Sequence, residues 1–153
     1  MGYPGAWAAR RIDLMSTIEQ NKEIVRGFID RVFTKGDLTA IDELLTENFV
    51  NHDPHFGAPE GREAFRHMGA VMREACPDWH SDLELLVGEG DFVVEQFTAS
   101  GTQRGELAGV APTGREVVMP GINIFRIVDG RIAERWGRVD ELGVLRQLGA
   151  IEA

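Results

Sequence analysis

The chain has 153 residues, 43% of them apolar and 27% charged, a composition that suits one globular domain with its own core. Its 16 Lys and Arg stand against 25 Asp and Glu, a formal net charge of −9, which argues against a nucleic-acid backbone or an anionic membrane surface as partner. Cys76 is the single cysteine, so neither an intramolecular disulfide nor a multi-cysteine zinc site can form, and a reducing, cytoplasmic setting is expected.

Residues 1–15 read as a flexible N-terminal extension and residues 16–150 as a single domain. Ser16 followed by Glu19 is a capping-box pattern that predicts a helix start. Ile18, Val25, Phe28 and Val32 then recur at helical spacing, and Gly36 closes the helix. Asp37 is placed to cap a second, short helix whose apolar stripe is Leu38, Ile41, Leu44 and Leu45. A third helix is predicted from near Pro59 to about Ala75, with Phe65, Met68, Met72 and Ala75 facing inward.

Beyond residue 78 the apolar period changes to two, and segments 80–87, 91–102, 115–128 and 131–139 read as strands. Gly88-Glu89-Gly90 and Asp129-Gly130 mark the turns between them. A last short helix runs from Glu141 to Leu148 and ends at Gly149. This order predicts an α+β fold, three N-terminal helices packed on one face of a curved, mainly antiparallel sheet. Helices lying across such a sheet leave a cone-shaped cavity suited to a small molecule.

The residue inventory narrows the chemistry. None of Ser16, Ser81 and Ser100 sits in a nucleophile elbow, no phosphate-cradling glycine loop is present, and the only tyrosine is Tyr3. His52-Asp53-Pro54-His55 is the densest run of ligand-type side chains, but Asp53-Pro54 reads as a turn and no metal is expected. Cys76 closes a helix, where the dipole raises a thiol's pKa, and is read as structural.

Polar residues on apolar strand faces are more informative. One face carries Val93, Glu95, Phe97 and Ala99; the next strand carries Met119, Gly121, Asn123, Phe125 and Ile127; the last carries Ala133, Arg135, Gly137 and Val139. If these faces line the cavity, Glu95, Asn123 and Arg135 point into it. Burial would raise the Glu95 pKa towards that of a general base, and a neighbouring arginine would oppose the shift. A Glu95–Arg135 pair on a solvated or subunit face is the alternative. Asp140 could cap the last helix, serve the pocket, or do both.

The run Asn123-Ile-Phe-Arg-Ile-Val-Asp-Gly-Arg-Ile-Ala-Glu-Arg-Trp136, continued by Asp140-Glu-Leu-Gly-Val-Leu-Arg-Gln-Leu-Gly149, closely resembles the SnoaL-like polyketide (ester) cyclases. The stretch Gly101–Gly114, with Gln103 where that family often has histidine, fits too, as do Asn51-His-Asp-Pro54 and Gly61-Arg-Glu-Ala-Phe65. The resemblance covers about residues 18–149. It implies the cone fold shared with nuclear transport factor 2, the ketosteroid isomerases and the limonene epoxide hydrolases, usually dimeric through the sheet. It also implies cofactor-free ring closure on a polyketide ester by enolate, aldol-type chemistry. The family's catalytic aspartate falls at Gly137 and its partner histidine at Asn123. The water-positioning asparagine of the epoxide hydrolases falls at Asn51, and their middle-strand arginine and aspartate at Phe97 and Ala99.

The expected base is therefore a relocated carboxylate, Glu95 or Asp140, with His52 and Asn51 near the mouth. Substrate contacts are expected from Asn51, Phe97, Met119, Asn123, Phe125, Arg135 and Gly137. The ligand would be a small hydrophobic carbonyl or polyketide-like molecule, without cofactor or metal, bound by a homodimer. A hydrolase of the epoxide type and a non-catalytic binding protein are the competing readings.

Overall fold

Val25, Phe28, Ile29 and Val32 lie buried along one side of the first helix, α1, which spans Ala6–Ile29 and runs on into a π-helical turn at Asp30–Thr34. The fold is described by a computed structural model over residues 6–54 and 59–152, with side chains from residue 17 onward. The helix begins at Ala6, not at the Ser16–Glu19 capping pattern, so it crosses the expected boundary at residue 16; residues 1–5 lie outside the described residues. Gly36, at φ 71°, ends the helical run as expected, because a left-handed residue terminates a helix at little cost only if it is glycine.

The short helix α2 covers Ala40–Leu44 and buries Ala40 and Ile41. Asp37 shapes the turn before it instead of capping it: its Oδ1 accepts from the Thr39 amide, and Thr39 holds the N-cap position. Strand β1, Leu45–Asn51, follows directly and was not foreseen. Only Leu45 and Phe49 of its residues are buried, four apart, which is a helical spacing; an irregular register between Leu45 and Val50 breaks the strand alternation. Helix α3 spans Arg62–Ala75 and starts after Gly61, whose φ of 64° and ψ of −145° exclude it from a helix. Its predicted start at Pro59 is thus corrected to Arg62.

Strands β2 (His80–Glu89), β3 (Phe92–Thr102), β4 (Glu116–Val128) and β5 (Arg131–Val139) form the expected antiparallel meander, and α4 (Glu141–Gln147) closes the chain. The sheet order is β1-β5-β4-β3-β2, with β1 parallel to β5 at one edge. Register shifts between Leu83 and Leu85 and between Arg126 and Ile127 are the bulges that help a sheet of this length to curl. The core lies between helices and sheet in two clusters. Phe28, Phe65, Phe125 and Ile132 belong to one; Trp79, Phe97, Val117 and Leu148 belong to the other. Between the helices and the inner face of the sheet lies the site.

Candidate active site

Strand alternation decides what enters the cone. On β5, Ala133, Arg135 and Gly137 are buried, whereas Glu134 and Trp136 are half-buried and Arg138 is exposed. In the paired strands Glu95 faces Asn123, Asn123 faces Gly137, and Arg135 faces both Phe125 and Asn51. The inner face therefore gathers Glu95 (0% exposed), Asn123 (5%) and Arg135 (2%), the three polar residues that the odd-numbered pattern predicted.

They form one hydrogen-bonded chain. Asn123 Nδ2 donates to Glu95 Oε2 at 2.9 Å. Asn123 Oδ1 accepts from Arg135 Nε at 2.9 Å and from Nη2 at 2.7 Å. Arg135 Nη1 donates onward to Asn51 Oδ1 at 3.1 Å and to the Asp53 carbonyl at 2.8 Å. Asp53 fastens the outer end: its Oδ2 accepts from the Gly137 amide at 3.0 Å and pairs with Arg138 at 2.6 Å. Within this chain of residues, Glu95 Oε1 and Asn51 Nδ2 are buried without a hydrogen-bond partner.

Burial dominates the electrostatics. Desolvation pushes the Glu95 carboxyl up to about 7, against the opposing pull of the Asn123 hydrogen bond and the Arg135 charge. The same desolvation lowers Arg135 to about 10, so it stays a cation at neutral pH. Asp53 is held below the usual carboxylate range, first by the Gly137 amide and then by Arg138 and Arg135.

Gly137 makes this arrangement possible. A Cβ at that position would overlap the Arg135 guanidinium and lie 2.5 Å from Asn123 Oδ1. The head group of residue 135 fills the space that a side chain at 137 would need.

Two adjoining spaces lie above this floor. A small inner chamber of about 30 Å³ is lined by Glu95, Asn123, Phe97, Phe33, Phe65 and Trp79, among others. An outer cavity of about 250 Å³ is lined mainly by Val71, Met72, Leu107, Ala108 and Val144, with His67 and Glu141 as its titratable groups. Met68, Met119 and Val139 line both, so the way from the outer cavity to Glu95 passes between them.

Not every expected residue comes to this floor. Phe97 and Met119 line the chamber, and Asn51 holds Arg135 from behind. Phe125 instead packs edge-on against Phe28 in the core, ring centroids 6.1 Å apart, and lines neither space. His52 is on the other side of the sheet, stacked on Trp136 and bonded through Nε2 to Glu134 Oε2 at 2.7 Å. Asp140 is exposed and caps α4, its Oδ1 accepting from the Gly143 amide at 2.8 Å. Both are corrected as candidate bases: one faces outward, the other is taken up by a helix end.

Asp53 and Met68 were missed. Asp53 was read as part of a turn; it lies in the bend just after β1 and shares parity with Asn51, the last residue of that strand. Met68 was assigned to the core alone. Gln103, noted only for replacing a histidine, is fully buried and pins the loop beyond it, accepting from Thr113 and donating to the Val110 and Ala111 carbonyls. That loop supplies Leu107 and Ala108 to the cavity wall. Among the described residues no group of three or more His, Cys, Asp or Glu could hold a metal ion.

The sequence model of the SnoaL-like polyketide cyclases matches residues 23–148. The chain belongs to the SnoaL-like polyketide cyclase family. It is 29% identical over 119 residues to nogalonic acid methyl ester cyclase of Streptomyces nogalater, covering 76% of this chain and 89% of that protein. It is 32% identical over 109 residues to the aklanonic acid methyl ester cyclase DnrD of Streptomyces peucetius, covering 70% and 72%. Among solved structures, TsrD from Streptomyces laurentii superposes with a TM-score of 0.77 at 31% identity, covering 87% of this chain and 97% of the other. IdmH from Streptomyces antibioticus gives 0.75 at 33% identity, covering 85% and 99%. The α+β cone is thus a SnoaL-like fold, and the family match runs from within α1 to the end of α4, taking in the residues that build the floor and line both spaces.

Proposed function

We propose that the protein is a cofactor-free cyclase of the polyketide-ester type, with Glu95 as its general base and acid. The observation that carries this reading is a wholly buried carboxylate, raised to about 7, with one oxygen bonded to Asn123 and the other without a partner, at the inner end of an apolar cavity. A base poised near neutral pH is what removal of a proton next to a carbonyl requires.

In the reaction, Glu95 Oε1 takes the acidic C–H proton, and the C–H electron pair becomes the enolate. The enolate carbon then bonds to a second carbonyl carbon of the same molecule, whose π pair moves onto oxygen. Protonated Glu95 returns the proton to that oxygen, which restores the carboxylate. Entry requires Met68 and Met119 to shift, which unbranched side chains with several rotatable bonds do readily. The substrate is a small hydrophobic carbonyl compound of polyketide type, its apolar body against Val71, Met72, Leu107 and Val144.

In this reading Gly137 stands where the family has its aspartate, and the role has passed to Glu95 across the sheet. We also place the protein in the cytoplasm, consistent with its one buried, high-pKa thiol, Cys76. Pairing of two copies through the sheet is supported by exposed Val87, Phe92, Ile122 and Ile124 on its outer face.

The test is enzyme-dependent deuterium exchange at the acidic carbon of simple β-keto esters, followed by proton NMR. Exchange should be present in the native chain and lost in Glu95→Gln while ester binding persists. Undiminished exchange in that variant would remove Glu95 from the role.

A further inference from the structure

Glu95 and Arg135 stand on β3 and β5, either side of β4, and a buried Arg and Glu whose long side chains can reach each other ordinarily close into a direct, often bidentate, ion pair. Here they do not, and the reason lies in the residue between them. We propose that Asn123 is a positioning residue that holds the Glu95 carboxylate and the Arg135 guanidinium apart, so that they cannot close into an ion pair and one carboxylate oxygen stays open to the chamber. The inference rests on the reading of Glu95 as the base, and deepens it.

The geometry is directional. Asn123 sits opposite Glu95 on one side and Gly137 on the other. Its amide oxygen takes two donors from Arg135, and its amide nitrogen gives one hydrogen to Glu95 Oε2. The reverse orientation would set the NH2 group against a donor-only guanidinium and the oxygen against a carboxylate, so the amide has one allowed setting. A carboxylate-bearing or purely apolar side chain could not satisfy both neighbours at once. Arg135 is also drawn away from Glu95 by Asn51 Oδ1 and the Asp53 carbonyl. Gly137 leaves the space in which the guanidinium lies. The consequence is visible at Glu95 Oε1, which is buried and without a partner, whereas a closed ion pair would engage it.

Arg135 on β5 is the cation that acts on Glu95, and Asp53, Arg138 and Glu141 act on Arg135. The elements packed over Glu95 present Ile29, Phe33, Phe65 and Met68, all apolar.

Asn123 therefore exerts two effects of opposite sign on Glu95. As a hydrogen-bond donor it favours the carboxylate, and as a spacer it withholds the stronger stabilisation that a touching guanidinium would give. Opposite charges in contact shift a carboxyl by about 1–3 pH units, and charge-assisted bonds are about twice as strong as neutral ones. The spacer effect should dominate.

The test is a carboxyl-carbon NMR titration of the full chain, labelled at glutamate and assigned by the signal missing in Glu95→Gln. In Asn123→Ala the Glu95 midpoint should fall by about one pH unit or more. Asn123→Ser, which leaves a smaller void, should move it the same way and covers the case in which the alanine variant does not fold. Combining either change with Arg135→Met should carry the midpoint back up, since no cation remains to close on the carboxylate. A midpoint that stays or rises in the single variants would reduce Asn123 to an ordinary hydrogen-bond donor and overturn the proposal. The titration needs no turnover. Absent ester exchange in the native chain would thus count against the proposed reaction and leave the spacer role to be judged by the titration alone.

Discussion

The two faces of β5 carry similar groups and do different things with them. Inward, Glu95, Asn123 and Arg135 form a dry chain in which burial pushes a glutamate up to about 7. Outward, Glu134 lies between His52 and Arg126, and those neighbours hold its carboxyl below the usual range. Both glutamates have cationic company. The difference is that Glu134 meets the Arg126 cation directly beside solvent, whereas Glu95 is desolvated and sees Arg135 only across Asn123. A carboxyl raised towards neutrality is thus made by burial together with a controlled distance from charge, and the residue type alone does not distinguish the two.

That contrast can be broken in several ways. The largest effect is expected from Arg135→Met, which strands Asn123, Asn51 and the Asp53 carbonyl and removes the buried counter-charge to Glu95. Urea unfolding should show a loss of about 3–5 kcal/mol, and a loss below about 1 kcal/mol would show that the chain contributes little to stability.

Next comes Glu95→Gln. The folded-state pKa of Glu95 is raised from its ordinary 4.5 to about 7, so the native state favours the protonated acid. The stability this gives is fully present below about pH 4.5 and is lost as pH rises through about 7. The glutamine variant should match the native chain in acid and exceed it by about 3 kcal/mol above neutrality. A difference that does not change with pH would contradict the shift.

Gly137→Ala should destabilise by about 1–3 kcal/mol in guanidinium unfolding, because its methyl overlaps the guanidinium and Arg135 must move. Smallest of all, Glu134→Ala on the outer face should lower stability only slightly, because exposed ion pairs contribute little. That cost should shrink at high salt, whereas the effect of Arg135→Met should not. Equal salt dependence at the two sites would erase the distinction between the faces.

Much of this was legible in the chain. Period-two alternation over 91–139 marked the strands, and their odd-numbered face carried Glu95, Asn123 and Arg135 inward. Asp129-Gly130 marked the β4–β5 hairpin, with Asp129 at φ 48° and Gly130 at φ 75°. What stayed hidden was set by tertiary pairing. Strand β1 gains its place from a parallel partner far along the sequence, and neither Leu45 nor Phe49 announces a strand locally. His52 faces outward only because Asn51, one residue before it, turns inward beside Arg135. The gap at Gly137 looked like a lost carboxylate; its reason emerges only when the reach of Arg135 along the same strand is seen.

The most direct measurement is the titration midpoint of the Glu95 carboxyl carbon in the native chain between about pH 4 and pH 9, a range that brackets the ordinary and raised values. A midpoint close to 7, well separated from the exposed glutamates, is the expected result. A midpoint near 4.5 would mean that Glu95 is ionised like any surface carboxylate, and the account of the floor as a site made by burial would fail.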